Sequence, residues 1–380
     1  MRLPTSGPLR TNFHLILFVL TFASTAFTWA SWGGRAPFGT PLFLQDGIRF
    51  ATGLLLFLTI HEFGHYFAAR KHRIDVTLPF YVPSPFIGVG TLGAVIKVRE
   101  AIPSRRALFD LGASGPLAGF VLAIGLAMVA LVLLPPLTYL MGLPGHEELI
   151  TYIQAMGGYP PTPPAASLTT GSLVLGQTPL FSLLTGDNGH VPPMHELYHF
   201  PFLFSAWLAL FFTALNLLPV GQLDGGHITY ALFGPIWHLR IGRSFLLMLM
   251  ASGTLGYADE ILFAAQPLAP IQTLLAWLFF SALMFVFAQR LTSGALRSTI
   301  MILTGVLTLA LIEPRLPFLA ETFGYSGWLL WCGLLLFFVR MQHPPVPIWE
   351  PLDRKRRLLG YLCIAIFLTC FSIQPLLIVP

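Results

Sequence analysis

Long stretches without charge constrain what this chain can fold into more than any other feature of its sequence. Of its 380 residues, 10% are charged, against roughly 25% in an average soluble domain. A helix needs about 20 consecutive apolar residues to cross a bilayer, so the sequence predicts an all-α polytopic membrane protein with about nine transmembrane helices. The candidate spans are residues 13–31, 48–69, 107–134, 201–219, 244–262, 271–289, 298–313, 317–339 and 358–378.

The positive charges test this division of the chain, because Lys and Arg favour the cytoplasmic side of a membrane. If the first helix starts inside, all but three of the 21 Lys and Arg residues lie on the cytoplasmic side, and the exceptions are Arg35, Arg49 and Arg315. We therefore expect the N-terminus inside and the C-terminus outside. The net charge of +5 then reflects loops that face anionic lipid, and nucleic acid is not an expected partner.

Three segments between the spans have their own character. Residues 75–102 are rich in Pro and then alternate Gly with Val and Ile, which predicts a small membrane-associated β hairpin near residues 75–100. Because it is so apolar, we expect it to dip into the membrane face, shielded by protein. Residues 135–200 contain no Lys or Arg and are rich in Pro, Gly, Thr and Ser, so we expect a loosely structured outer segment. Residues 341–357 form a basic cytoplasmic loop.

The cysteines and the first span add little to this picture. Cys332, Cys363 and Cys370 all fall in apolar spans, so neither a disulfide framework nor a cysteine-based metal motif is indicated. The first span is either a cleaved signal or an uncleaved anchor, and we expect the anchor.

The motif HEFGH at residues 61–65 fits the zinc-peptidase pattern His-Glu-x-x-His. His61 and His65 are four residues apart on a predicted helix, so both side chains lie on one face and can reach one metal ion. Glu62 lies beside them, where it can act on a metal-bound water. Ionisable groups are costly in a spanning helix unless they serve a function. The pattern therefore predicts a catalytic metal site, against the alternative of interfacial polar residues at a helix end.

A second match to the same pattern is HELYH at residues 195–199. Pro201 disfavours helical backbone at Phe200, so a continuous helical face through His195 and His199 is not expected. The predicted topology also puts this motif outside. We expect interfacial polar residues here, with an accessory metal site as the alternative.

The third ligand distinguishes the two motifs, because a catalytic zinc site has three protein ligands and an open position for water. Asp224 follows the fourth span, in NLLPVGQLDGGH. The predicted topology puts it at the cytoplasmic end, as it does HEFGH, whereas HELYH lies about 37 Å away along a continuous helix. We therefore expect Asp224 to join His61 and His65, with His227 as an alternative ligand.

Two motifs together resemble the site-2 protease family of intramembrane zinc metalloproteases. One is HEFGH in a predicted spanning helix, and the other is the order N-x-x-P-x-x-x-x-D-G in a later one. The stretch ALFDLGASGPLAGF, residues 107–120, resembles the family's intervening helix, and the resemblance covers about residues 48–235. The residues of the second motif are Asn216, Pro219, Asp224 and Gly225.

This resemblance implies roles for particular residues. His61, His65 and Asp224 would bind one Zn²⁺ ion per chain. Glu62 would be the catalytic base. Asn216 would hydrogen-bond the substrate backbone, with a helix–helix hydrogen bond as the alternative.

The predicted hairpin has a role in the same interpretation. Its segment 86–98 can offer a strand edge that captures an unwound substrate by β-addition, and a β element at this place in the family supports this. Gly90, Thr91 and Gly93 would then bind the substrate. The alternative is a hairpin that only packs against the helices.

The resemblance also implies a substrate class and a division of the chain. The substrate would be a single-pass transmembrane protein, which can be cut first outside, and cleavage would release a cytoplasmic fragment. We expect the bacterial inner membrane as the location. Residues 1–46 would form an anchor and outer loop, residues 47–235 the protease core, including the outer segment 135–200, and residues 236–380 additional C-terminal transmembrane helices.

Two other functions are weighed against this one. GASG, residues 112–115, matches the Gly-x-Ser-Gly of rhomboid serine proteases, with Ser114 as nucleophile. Pro116 follows directly, however, and the small residues around it fit close helix packing better. The non-enzyme alternative is a catalytically inactive or metal-handling membrane protein, such as a transporter or scaffold. The metal-type residues gather at one face with Glu62 among them, which favours an enzyme.

Overall fold

A computed structural model describes residues 8–33, 41–86, 88–141, 143, 146–160, 173–186, 189–262, 269–291, 317–339 and 341–378. These residues form two compact units. Unit 1 runs to Leu217 and resumes at Val346, and unit 2 is Leu218–Pro345. The predicted functional boundaries near residues 46 and 235 stay predictions.

The described residues are mostly helical. In chain order the helices are α1 (Pro8–Trp32), α2 (Pro41–Lys71), α3 (Arg105–Val132), α4 (Glu147–Met156), α5 (Pro179–Thr185), α6 (Pro201–Asn216), α7 (Asp224–Tyr257), α8 (Pro270–Leu291), α9 (Pro317–Phe323), α10 (Gly327–Phe338) and α11 (Arg354–Cys370). The strands are β1 (Phe80–Ser84), β2 (Gly90–Val95), β3 (Leu173–Leu175) and β4 (Leu376–Ile378).

Five helices among the described residues are long and apolar enough to cross a membrane. They are Asn12–Ser31, Phe43–Lys71, Arg105–Val132, Asp224–Leu262 and Pro270–Gln289. The chain is therefore a multi-pass membrane protein, but the prediction of about nine spans is not confirmed.

The remaining predicted spans have different outcomes. The spans predicted at 201–219 and 317–339 contain the shorter apolar helices α6 and α10. The last, 358–378, is divided between the 17-residue α11 and strand β4. An apolar run does not by itself show where a helix ends, so the sequence overestimates the lengths of these helices. The span predicted at 298–313 lies outside the described residues.

The β hairpin predicted near residues 75–100 is confirmed. Strands β1 and β2 pair antiparallel, with Phe80 opposite Val95 and an irregularity between Tyr81 and Pro83. Proline has no N–H to give to the ladder, which suits the break. The hairpin lies along the candidate span in α1, where the hydroxyl of Ser24 donates to the carbonyl of Gly90 at 2.7 Å.

Residues 135–200, predicted to lie outside, are more regular than their composition predicts. Besides α4, α5 and β3 they contain 3₁₀ turns at Leu137–Leu140 and Leu197–His199, while residues 161–172 lie outside the described part. The N-terminus of helix α5 is capped by Thr178, whose hydroxyl accepts the N–H of Phe181. Pro179, the first residue of the helix, suits that position because its missing N–H would have no partner there. Strand β3 pairs antiparallel with β4, which brings this segment and the chain's last strand to one place.

Glycine lets the helices of unit 1 approach closely. A Cβ on Gly64 of α2 would lie 2.6 Å from the carbonyl oxygen of Ser114 on α3. A Cβ on Gly53 would lie 2.2 Å from the Ser205 hydroxyl on α6. Helix α2 therefore packs closely against both neighbours, by backbone contact with α3 and by contact with the Ser205 side chain of α6, which fixes the depth and rotation of its polar residues.

Unit 2 is built on α7. This helix is kinked at Gly234, whose φ of 84° is left-handed, with Pro235 next in the chain. Helices α9 and α10 pack on the part beyond the kink, where Gly253 and Gly256 leave no room for a side chain against Leu329 and Tyr325.

Candidate metal centre

Helix α2 carries the HEFGH motif, and all three of its ionisable side chains are buried. His61, Glu62 and His65 are 3%, 7% and 7% exposed. The Nε2 atoms of His61 and His65 lie 3.1 Å apart, and the two rings are nearly perpendicular. The helical spacing predicted from the sequence therefore does produce a pair of imidazoles directed at one point.

The tautomer of His65 is fixed by a backbone group of α3. Its Nδ1 lies 2.7 Å from the carbonyl oxygen of Leu111, which can only accept a hydrogen bond, so Nδ1 carries the proton. The Nε2 lone pair then faces His61. Metal-binding histidines commonly donate their second nitrogen in this way, which orients the ring and raises its basicity.

The amide of Asn216, at the end of α6, also lies beside the pair. Its Nδ2 is 3.4 Å from Nε2 of His61. Asn216 therefore does reach the site of the two histidines within unit 1, and its contact there is with a histidine side chain.

The carboxylate of Glu62 is held by the hairpin. Its Oε2 accepts the backbone N–H of Ile96, just after β2, at 2.9 Å. No sequence pattern predicts this contact, because it depends on how the hairpin packs beside α2. It orients one oxygen of the proposed base by a fixed backbone donor.

Two glycines of α3 make room for the histidines. A Cβ on Gly115 would lie 2.1 Å from Nε2 of His65, and one on Gly119 would lie 3.2 Å from Nδ1 of His61. The small residues of GASGPLAG therefore serve close packing, as expected from the sequence. The Ser114 hydroxyl donates to the Leu111 carbonyl of its own helix at 3.2 Å.

The hairpin residues predicted to bind substrate differ in their surroundings. Gly90 has φ of 88° and packs against the backbone of Thr25 on α1. Thr91 is buried, and its hydroxyl donates to the Val82 carbonyl at 3.0 Å. Gly93, with φ of 101°, has open space where a Cβ would point. Of the three, Gly93 therefore has room for an incoming chain.

The other predicted ligands belong to unit 2. Asp224 is the first residue of α7, a position that favours a carboxylate because the helix dipole is positive there. His227, the alternative ligand, has Nδ1 2.9 Å from Nε2 of His343. That Asp224 or His227 binds a metal ion stays a prediction.

The donor set of α2 fits a zinc-type ion. Two neutral imidazole nitrogens that converge within 3.1 Å, one of them with its tautomer fixed by a carbonyl, are the ligands that Zn²⁺ prefers.

Pro201 led us to expect that the HELYH motif forms no continuous helical face, and it forms none. Leu197–His199 is a 3₁₀ turn, and His195, Glu196 and His199 are all buried. Burial lowers the pKa of His195, with Glu196 acting in the opposite direction. Burial, and after it the charge of Glu196, raises the pKa of Tyr198 to about 12. Glu196 is itself only 3% exposed, so water reaches its carboxylate poorly.

The fold and the site together define a class: a multi-pass membrane protein with a His-Glu-x-x-His motif buried in one of its apolar helices. A family model described as Peptidase family M50 matches residues 49–255, more than half of the chain. The chain belongs to this family, the site-2 protease family of zinc metalloproteases.

Curated relatives agree with this assignment. The "Probable zinc metalloprotease EGY1, chloroplastic" of Oryza sativa subsp. japonica is 30% identical over 192 residues, which are 50% of this chain and 29% of the relative. The "Probable zinc metalloprotease EGY2, chloroplastic" of Arabidopsis thaliana is 27% identical over 234 residues, which are 60% of this chain and 37% of the relative. The chain thus spans less than two fifths of either relative. No solved structure matches.

Proposed function

We propose that this protein is an intramembrane zinc endopeptidase. It hydrolyses a peptide bond in or near the transmembrane segment of a membrane-tethered protein and releases a cytoplasmic fragment. The observation that carries the proposal is the buried His61–His65 pair, whose Nε2 atoms lie 3.1 Å apart beside Glu62 in a candidate membrane span. Three buried ionisable groups in an apolar helix indicate a functional site.

The ligands in this proposal are His61, His65 and Asp224, holding one zinc ion per chain. The two histidines are supported by their convergence and by the hydrogen bond from His65 to Leu111. Asp224 is supported by its place in the family's N-x-x-P-x-x-x-x-D-G motif. When bound, zinc lowers the pKa of water to about 7 and polarises a carbonyl.

Glu62 acts as the general base. It takes a proton from the attacking water and passes it to the leaving amine. One of its oxygens already accepts the Ile96 N–H, which gives the carboxylate a fixed orientation. Asn216 then holds the substrate backbone or the His61 ring, and its 3.4 Å distance from His61 supports a place at the reacting centre.

The hairpin would bind the substrate as an added strand. A transmembrane helix has its carbonyl groups hydrogen-bonded to itself, so it must unwind before it can be cut. Strand β2 ends one residue before the N–H that holds Glu62, so a peptide running along it would pass the base. The open space at Gly93 suits such a neighbour, whereas Gly90 and Thr91 would act by shaping the strand.

The topology in this proposal has nine spans, with the N-terminus inside and the active site near the cytoplasmic face. The β3–β4 pair supports the relative sides in this topology, because paired strands must share one side of the membrane, and the topology puts both segment 135–200 and the C-terminal end outside. The partners are a single-pass protein substrate and the lipid bilayer. For the compartment, we propose the bacterial inner membrane, although the named relatives are chloroplastic.

The alternative is a membrane protein that binds the metal without catalysis, as a transporter or scaffold. A transporter would place ionisable residues in several helices across the midplane. Here Glu62 sits among the ligands, hydrogen-bonded and buried, which a metal carrier would not require.

The test compares Glu62→Gln with Glu196→Gln, each purified as the full chain in lipid, for cleavage of a single-pass reporter substrate. Gln keeps the size of Glu but cannot take a proton. We expect Glu62→Gln to lose about 10²–10⁴-fold of the cleavage rate while zinc content stays at the wild-type level of the α2 site. Glu196→Gln should retain cleavage.

The outcomes separate the readings. Loss of cleavage in Glu196→Gln with normal Glu62→Gln activity would move the chemistry to HELYH and overturn the proposal. Cleavage by neither the variants nor the wild type, with zinc bound at α2, would favour the metal-handling alternative. Cleavage that persists in chelator would rule out a metalloenzyme.

A further inference from the structure

The HELYH residues contact a further histidine, which no sequence pattern connected with them. His146 lies 50 residues before Glu196 in the chain, directly before α4. Its Nε2 is 3.0 Å from Oε2 of Glu196, and Nε2 of His199 is 3.7 Å from the same oxygen. The rings of His146 and His199 are 4.8 Å apart and nearly perpendicular. We call His146, Glu196 and His199 the outer cluster.

The spacing of these atoms suits a metal ion. One donor atom from each residue lies within 4.8 Å of the others. Ligands on bonds of about 2.1 Å are roughly 3.4 Å apart around a tetrahedral ion. The observed 3.0 and 3.7 Å bracket that value, so small side-chain movements would be enough to close the site.

His199 is oriented as a ligand would be. Its Nδ1 lies 3.0 Å from the carbonyl oxygen of Gly33, just after α1, so Nδ1 carries the proton and Nε2 turns toward Glu196. This is the same arrangement that the Leu111 carbonyl gives to His65 at the α2 site. A backbone carbonyl that fixes the tautomer of a ligand is the usual second layer of a metal site.

His195 supplies an independent observation. Its side chain is 7% exposed, and its Nε2 lies 3.9 Å from Oε1, the second carboxylate oxygen of Glu196. Among the described residues Nε2 has no hydrogen-bond partner. A buried imidazole nitrogen without a partner costs free energy, unless it faces something that the protein binds.

We propose that the outer cluster is a second metal site, which takes Zn²⁺ or a similar divalent ion of the first transition row through His146, Glu196 and His199, with His195 as a fourth donor within reach. Two imidazoles and a carboxylate form a nitrogen–oxygen donor set that suits zinc rather than Mg²⁺ or Ca²⁺. The proposal uses no residue of the α2 site and does not depend on the proposed peptidase activity.

The place of the cluster indicates a structural role. His146 begins α4, Glu196 and His199 come just before α6, and Gly33 ends the turn after α1. An ion here would join three segments distant in sequence, in an outer region otherwise held by short elements. An ion that binds only the folded state stabilises that state and so increases the free energy of unfolding.

The test needs a background in which the α2 site cannot contribute. We choose the full chain with His61→Asn and His65→Asn, purified in lipid nanodiscs, stripped with chelator and reloaded with Zn²⁺ alone. We expect about one tightly held zinc ion per chain by mass spectrometry of the metal. Adding Glu196→Gln should remove it, whereas adding His190→Asn, an exposed histidine of the same outer segment, should not.

A second measurement avoids any change in the cluster itself. In the same background, Zn²⁺ should protect His146 and His199 from diethyl pyrocarbonate, read as modified peptides, and leave His190 reactive. Co²⁺ in place of zinc should give a ligand-field absorption that disappears in His199→Asn. A background variant that holds no zinc and gains no protection would overturn the proposal. So would equal zinc content before and after Glu196→Gln.

Discussion

The imidazole of His65 occupies a space that only glycine leaves open. Gly115 lies so close that a Cβ there would be 2.1 Å from Nε2 and 2.5 Å from Cδ2 of the ring. The obstacle is therefore the ring itself, which is also held by the Leu111 carbonyl on its other nitrogen. A methyl group at position 115 would have to turn the ring away from His61.

This gives a prediction for Gly115→Ala. We expect zinc affinity of the α2 site to fall about 10–100-fold, because the variant disturbs the orientation of a ligand without removing it. Gly125→Ala is the matched control, since the same substitution on the same helix meets nothing within 4 Å. Competition with a chelator measures both. Equal affinities in the two variants would contradict the packing argument.

At the scale of elements, three helices of unit 1 meet at a carboxylate. Asp110 of α3 accepts Nε and Nη2 of Arg356 of α11, at 2.7 and 2.6 Å, and lies 2.8 Å from Nε2 of His72 just after α2. The paired contacts with one guanidinium are the geometry that arginine, unlike lysine, can offer. The start of α11 is thereby tied to the helix that orients His65.

The N-terminus of α11 is capped by the carboxylate of Asp353, which can be protonated. The carboxylate of Asp353 accepts the backbone N–H of Arg356 at 2.9 Å. This hydrogen bond lowers the pKa of Asp353 below its usual value, with slight burial opposing it and the Arg356 side chain adding to it. A carboxyl group whose pKa is lowered by folding stabilises the fold above its unfolded pKa, and this contribution is lost as the pH falls through the folded pKa.

We therefore predict a pH-dependent fraying of α11. The Arg356 amide should keep its protection from hydrogen exchange between pH 7 and 5 and lose protection below about pH 4, after correction for intrinsic rates. The matched control lies in α5, where the uncharged Thr178 hydroxyl accepts the Phe181 N–H at 3.2 Å. Protection at Phe181 should stay constant. A parallel loss at both amides would show global unfolding instead.

At the scale of the whole molecule, the proposed topology places the ends of α2 and α5 on opposite sides of the membrane. The side chains of Lys71 and Leu183 are both well exposed, at 72% and 78%. The native cysteines Cys332, Cys363 and Cys370 are buried, so they contribute little background to thiol labelling.

Introduced cysteines test this directly. Lys71→Cys should react with a membrane-impermeant maleimide in inverted vesicles, and Leu183→Cys in right-side-out vesicles. Ile373→Cys, next to the strand that pairs with β3, should follow Leu183→Cys because hydrogen-bonded strands share one side. Labelling of Lys71→Cys from the outside would reverse the orientation, and different behaviour of the last two variants would contradict the β3–β4 pair.

The sequence by itself determined the class of the protein and the position of its candidate metal site. Uncharged runs required spanning helices, and the four-residue spacing of His61 and His65 required a shared helical face, because both properties are local to the chain. The hairpin was visible for the same reason. The number of spans was not, because an apolar run such as 358–378 can end a helix and begin a strand.

Only the tertiary structure decided which distant groups complete these local patterns. The Leu111 carbonyl fixes His65, the Ile96 N–H holds Glu62, and Gly115 leaves the space for the ring. His146 joins the HELYH residues from a different part of the chain. The small residues of α3 indicated close packing but not which ring lies against Gly115. The other contacts have no sequence signal, since backbone N–H and carbonyl groups look alike in every sequence and a contact between residues 50 positions apart depends on how the helices pack.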